Sequence, residues 1–126
     1  GAVVVLKGAR SVVADPAGAL FINPTAEAAL GTAGSGDLLA GIIAALLGQG
    51  YSALQAAQLG VFLHGAAGEL AVEDQGSPWG IVASDFGRAI GHAVKRILRD
   101  AKRWPSEFDM PILPTALSPL DLGSGR

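Results

Sequence analysis

The chain has 126 residues, is 50% hydrophobic and 16% charged, carries a formal net charge of −2 and contains no cysteine. That length supports one modest domain with a core, and the apolar share excludes a disordered chain. No block of Lys and Arg exists to neutralise a phosphate backbone, so nucleic acid is not an expected partner. The absence of cysteine excludes disulfides and thiolate metal sites, and makes a cytoplasmic location the expectation. The longest apolar run, Leu38 to Gly48, has 11 residues. A membrane span needs roughly 20, so no membrane is expected. No signal peptide is visible. The chain opens on an apolar run without an initiator Met, as a fragment of something longer would.

In chain order, Ala2 to Leu6 reads as a strand, valine-rich and suited to burial on both faces of a sheet. Ser11 to Ala14 is a second short strand, and Asp15-Pro16-Ala17-Gly18 a turn. Leu20 to Ile22 is a third strand returning antiparallel to the second, and a polar loop runs from Asn23 to Gly31. A helix is predicted from about Gly36 to Leu47, stopped at Gly48-Gln49-Gly50. Ser52 is a good N-cap for the next helix, which extends to about Val72. A third helix starts near Ser84 or Asp85 and runs to about Lys102, with Trp79 packing near its start. Four of the seven prolines fall after Trp104, so residues 104–126 are expected to form a proline-rich tail behind a domain of residues 1–103.

The segment GTAGSGDLLAG, residues 31–41, carries the chemistry. Gly34, Ser35 and Gly36 can turn backbone N–H groups toward one point, and the helix that follows adds unpaired N–H groups and the positive end of its dipole. Together these make an anion site, with phosphate the usual occupant. A Walker A loop is excluded, because Gly36 is followed by Asp37 and Leu38 rather than Lys and Ser or Thr. The dinucleotide fingerprint is excluded because Leu39 stands at its third glycine position. Asp37 has two readings. It is a favourable acidic residue at a helix N-terminus, or it is a general base beside a phosphate cradle, placed to take a proton from an attacking hydroxyl.

Gly34-Ser35-Gly36-Asp37 followed by Leu-Leu-Ala-Gly resembles the G-[TSAM]-G-D signature of ribokinase-like small-molecule kinases. The resemblance is closer to one branch, the ADP/ATP-dependent NAD(P)H-hydrate dehydratases. VVVLKGARSVVADPAG, FINPTAEAALGTAGSGDLLAGIIAALLGQG, AAQLGVFLHGAAGELA and WGIVASDF carry it in order over about residues 3 to 98. It implies an α/β fold, the C-terminal half of a ribokinase-like three-layer sandwich. It also implies an enzyme that uses ADP or ATP with Mg²⁺ to dehydrate NADH hydrate and NADPH hydrate. Phosphorylation of the hydrate hydroxyl followed by elimination of phosphate would accomplish this.

By that resemblance Lys7, Gly8, Ala9, Arg10 and Ser11 match the segment that contacts the AMP portion of the nucleotide. Gly34, Ser35 and Gly36 form the anion hole, Gly36 standing at the phosphates. Asp37 meets the hydrated dinucleotide and activates its hydroxyl. Asn23 and Thr25, in the loop before the anion hole, are further candidates for substrate contact. His64 reads first as a packed helix histidine, and no His, Asp and Glu set has metal-ligand spacing, so Mg²⁺ is expected on nucleotide phosphates and water. The missing N-terminal half, or a second copy in a homo-oligomer, is expected to pair with the exposed sheet edge. Two other functions share the GSGD loop: a kinase of a hydroxymethyl-bearing vitamin precursor, and a non-catalytic nucleotide-binding fragment.

Overall fold

The computed structural model describes residues 1–101. Three strands, β1 (Val4–Leu6), β2 (Val12–Ala14) and β3 (Leu20–Ile22), form one sheet in the order β1-β2-β3. Both pairings are antiparallel, with Val5 opposite Val13 and Val13 opposite Phe21. Gly18, with φ at +95°, turns β2 into β3 while the Asp15 carboxylate accepts from the N–H groups of Ala17 and Ala19. A single 3₁₀ turn follows (Ala28–Gly31), then α1 (Ser35–Gly48), α2 (Ala53–Gln75) and α3 (Ala83–Ala101).

Side chains alternate across a strand, so Val5, Val13 and Phe21 face one way. Val13, 1% exposed, is buried against Leu39 of α1 and Ala57 and Val61 of α2. The opposite face presents Val4, Leu6, Leu20 and Ile22, each more than half exposed. The expected burial of the first strand on both faces is therefore corrected. β1 has one sheet neighbour among the described residues and one covered face. Apolar sequence in β1 reports a face that could be covered, and nothing in residues 1–101 covers it.

The helices begin and end where local chemistry dictates. Ser52 caps α2 with a capping box, its hydroxyl accepting from Gln55 N–H while the Gln55 side chain accepts from Ser52 N–H. Gly76 closes α2 in the left-handed conformation, at φ +72°. α2 is the central helix. One side packs Ala56, Leu59 and Leu63 against Ile42 and Leu46 of α1. Another packs Ala67 and Ala71 against Phe86, Ala89 and Ala93 of α3. Close approach explains the glycines inside α2: a Cβ on Gly60 would lie 2.5 Å from Ile43 Cγ1, and one on Gly68 would lie 2.9 Å from Leu30 Cγ.

Trp79 departs from expectation. Its side chain is 83% exposed, and its backbone instead fixes the turn before α3: Gln75 Nε2 donates to Trp79 O, and Trp79 N–H donates to Ser77 Oγ. Among the described residues no helix is long and apolar enough to cross a membrane. The expected tail of residues 104–126 lies outside the described residues.

Candidate nucleotide site

The turn that opens α1 is built on glycine. Gly34, the N-cap, adopts φ +83°, a conformation that favours glycine, and contributes no side-chain cap. Thr32 O accepts from Ser35 N–H, and Gly34 O accepts from Leu38 N–H. The N–H groups of Gly36 and Asp37 lie between these bonds and donate to no backbone carbonyl. Two free donors at the positive end of a 14-residue helix favour an anion.

Lys7 reaches the same turn from the end of β1. A Cβ built on Gly36 would collide with Lys7 Nζ, so the ammonium lies directly over the first turn of α1. Glycine at 36 thus leaves room for the ammonium, and a side chain there would displace the flexible end of Lys7, while the φ of Gly36 is itself unexceptional. The Lys7 ammonium and the Gly36 amide donor meet there, and no anion among the described residues is bound to them. That is the electrostatic pattern of a phosphate site.

These groups line a cavity of about 460 Å³, within the range of roughly 300–1,000 Å³ usual for small-molecule sites. Lys7, Gly8, Ala9, Ser11, Asn23, Ser35 and Gly36 share it. The loop before the 3₁₀ turn supplies Thr25 and Glu27 as further walls, and α2 supplies His64 and Gly65. Asn23 is buried, and its Nδ2 lies within hydrogen-bond distance of Thr25 O, Thr25 Oγ1 and Val61 O, at 3.1, 2.7 and 3.1 Å. This ties β3 to α2 and shapes the cavity wall. Its Oδ1 is buried with no hydrogen-bond partner.

The remaining candidates stand elsewhere. Arg10 is exposed and outside this cavity, and Gly34 faces Ala83 at the start of α3. Asp37 is exposed, makes no side-chain hydrogen bond, and lies on the rim of a second, apolar groove of about 570 Å³ between α1 and α3, lined by Leu38, Gly41 and Ile90 among others. Successive helix residues point about 100° apart, so the first turn of α1 presents Gly36 to one cavity and Asp37 to the other.

Sequence reasoning underweighted His64. Its Nε2 lies 2.9 Å from Ser35 Oγ in a buried contact. Burial holds its pKa below the ordinary histidine value; the backbone of Ser35 works in the opposite direction, and the Lys7 charge adds to the lowering. The signal was present in GVFLHGAAG, where a polar residue sits among glycine and alanine on a helix face made for close packing. Among the described residues no cluster of three His, Cys, Asp or Glu could hold a metal ion.

Known proteins resemble this chain in sequence and fold. The ADP-dependent (S)-NAD(P)H-hydrate dehydratase of Neisseria meningitidis serogroup B is 42% identical over 99 residues, 79% of this chain and 33% of that protein. The bifunctional NAD(P)H-hydrate repair enzyme Nnr of Moorella thermoacetica is 56% identical over 75 residues, 60% of this chain and 14% of that protein. The ADP/ATP-dependent NAD(P)H-hydrate dehydratase from Bacillus subtilis, co-crystallised with ATP and Mg²⁺, superposes with a TM-score of 0.69 at 36% identity, over 75% of this chain and 34% of that one. The chain spans a third or less of the length of both curated relatives. The solved likeness bears out the ribokinase-like α/β class, in partial form. The family model for NAD(P)H-hydrate dehydratase matches residues 1–91, and the chain belongs to that family.

Proposed function

We propose that this chain supplies the nucleotide-binding part of an enzyme that dehydrates (S)-NAD(P)H hydrate at the expense of ADP or ATP. The observation that carries it is the Lys7 ammonium over Gly36, whose own N–H is free, in a cavity of nucleotide-compatible size. Lys7, Gly8, Ala9 and Ser11 hold the nucleotide, and the α1 turn receives its phosphates. Mg²⁺ arrives on the nucleotide, since the described residues offer no carboxylate cluster for it.

The split of the first turn of α1 suits a two-substrate reaction. Phosphates sit on the Gly36 side, and the hydrate approaches from the Asp37 side. The hydrate hydroxyl oxygen attacks the terminal phosphorus, the bond to the rest of the nucleotide breaks, and Asp37 takes the hydroxyl proton. The new C–O–P linkage then breaks at carbon. Phosphate leaves with the oxygen, a ring proton is lost, and the double bond of the dihydronicotinamide returns. The backbone donors and Lys7 stabilise charge on the transferred phosphoryl group.

Further sequence, or a second copy in a homo-oligomer, covers the apolar outer sheet face and completes the hydrate pocket. Two facts support this: the exposure of Val4, Leu6, Leu20 and Ile22, and a chain spanning 34% of its solved relative. The reaction belongs to a cytoplasmic metabolite-repair role. The test is incubation with hydrated NADH, ADP and Mg²⁺. Recovery of dihydronicotinamide absorbance with release of phosphate supports this function. Stable transfer of phosphate to a vitamin alcohol, or nucleotide binding without turnover in the assembled enzyme, counts against it.

A further inference from the structure

We infer that His64 is a positioning residue for the anion-binding turn: by its hydrogen bond to Ser35 it holds the first turn of α1 in the form that presents the Gly36 N–H beside Lys7. The inference rests on the nucleotide reading of that cavity and adds a residue outside its binding segments.

Three observations carry it. First, the turn lacks the usual tether. A Ser, Thr, Asp or Asn at the N-cap would fix the first helical turn through its side chain, whereas Gly34 has none. A glycine-rich turn is also the most costly to order. Second, the Ser35–His64 contact is the one side-chain hydrogen bond that residues 31–38 make among the described residues. Both partners are sealed, Ser35 at 2% and His64 at 8% exposure, so the bond has little competition from water. Third, α2 is brought close enough to deliver it. Gly65, next to His64, lies against Thr25, and Gly60, one turn earlier, lies against Ile43 of α1. Ser35 and His64 both belong to the cavity wall, so the bond stands beside the space it would shape.

A packing histidine and a positioning histidine differ in what they do to Ser35 and to ligand affinity. The experiment is calorimetric titration of ADP with Mg²⁺ into the full 126-residue chain, with far-UV circular dichroism to establish folding. His64→Leu keeps an apolar side chain of comparable size and removes the bond, and His64→Gln keeps a group able to meet Ser35 Oγ. His64→Leu should weaken ADP binding about three- to tenfold, the net value of one hydrogen bond. Ser35→Ala should weaken it equally, and the double variant no further than the worse single one. His64→Gln should stay within about twofold of the parent chain. A folded His64→Leu chain with parental affinity, or additive losses in the double variant, overturns the inference. Should His64→Leu not fold, Ser35→Ala alone decides, and parental affinity there overturns it.

If the parent chain binds no ADP, the nucleotide reading fails and the positioning claim is judged without ligand. The backbone amide resonances of Gly36 and Asp37 should then shift in Ser35→Ala and stay in place in His64→Gln. Unmoved resonances in Ser35→Ala overturn it.

Discussion

Replacing Gly65 by alanine should destabilise the chain although alanine is the better helix former. Gly→Ala inside a helix ordinarily stabilises by up to about 1 kcal/mol. At position 65 the new methyl would collide with Thr25 Oγ1 and lie 2.6 Å from Thr25 Cβ and 3.3 Å from Asn23 Nδ2. Thr25 is β-branched and restricted at χ1, and it is held by Asn23 Nδ2, so it cannot rotate away freely. Overpacking of this kind costs about 1–3 kcal/mol, and Asn23 Nδ2 keeps Thr25 O and Val61 O as acceptors. Against the helix-propensity gain, the net expectation is a loss of up to about 2 kcal/mol, read as a lower urea midpoint at unchanged slope. Gly41→Ala is the control. Its Cβ meets nothing within 4 Å, so it should gain about 0.5–1 kcal/mol. Equal stabilisation by both substitutions would refute the close approach of α2 to the Asn23–Thr25 pair.

Other consequences are equally direct. Ser52→Ala removes the capping box of α2 and should cost about 1 kcal/mol in the same urea assay. His64 binds its proton less readily when folded than the ordinary histidine value of 6.5. Between the two pKa values the unfolded chain therefore holds more protons, so stability rises with pH there. His64 contributes fully above about 6.5, and that contribution falls as the pH drops below 6.5 toward the folded value. Unfolding midpoints between pH 8 and 5 should show this slope, with Lys7 and Glu27 as the charged groups lining the same cavity, and His64→Gln should flatten it. In the assembled enzyme Asp37→Asn should lower turnover by about 10²–10⁴ while ADP affinity holds or rises. More than a tenth of parental turnover would mean that Asp37 serves only the helix end.

The sequence revealed local structure where the cause is local. Gly18, Ser52 and the glycines near residue 50 end or begin elements by backbone conformation or side-chain capping, and the elements fall within a few residues of their predicted bounds. The glycine turn before α1 is legible for the same reason, since its glycines and the helix after it are contiguous. Long-range relations were not legible. Nothing in the order of residues places Lys7 over Gly36, buries Asn23 against Val61, or joins His64 to Ser35 across 29 positions. The burial of β1 was overread because an apolar run states only that a strand suits burial, and the covering layer is not encoded in residues 1–101. Trp79 was misplaced because a large aromatic suggests packing, whereas here its backbone makes the turn.

The most direct measurement is the affinity of the chain for ADP with Mg²⁺, before and after Gly36→Val. Valine would drive a branched side chain into the position of Lys7 Nζ and fill the cradle at the two free N–H groups. If phosphates bind there, the parent chain binds ADP, and Gly36→Val weakens it by an order of magnitude or more while remaining folded. A folded Gly36→Val chain with parental ADP affinity would place the nucleotide elsewhere and contradict the site.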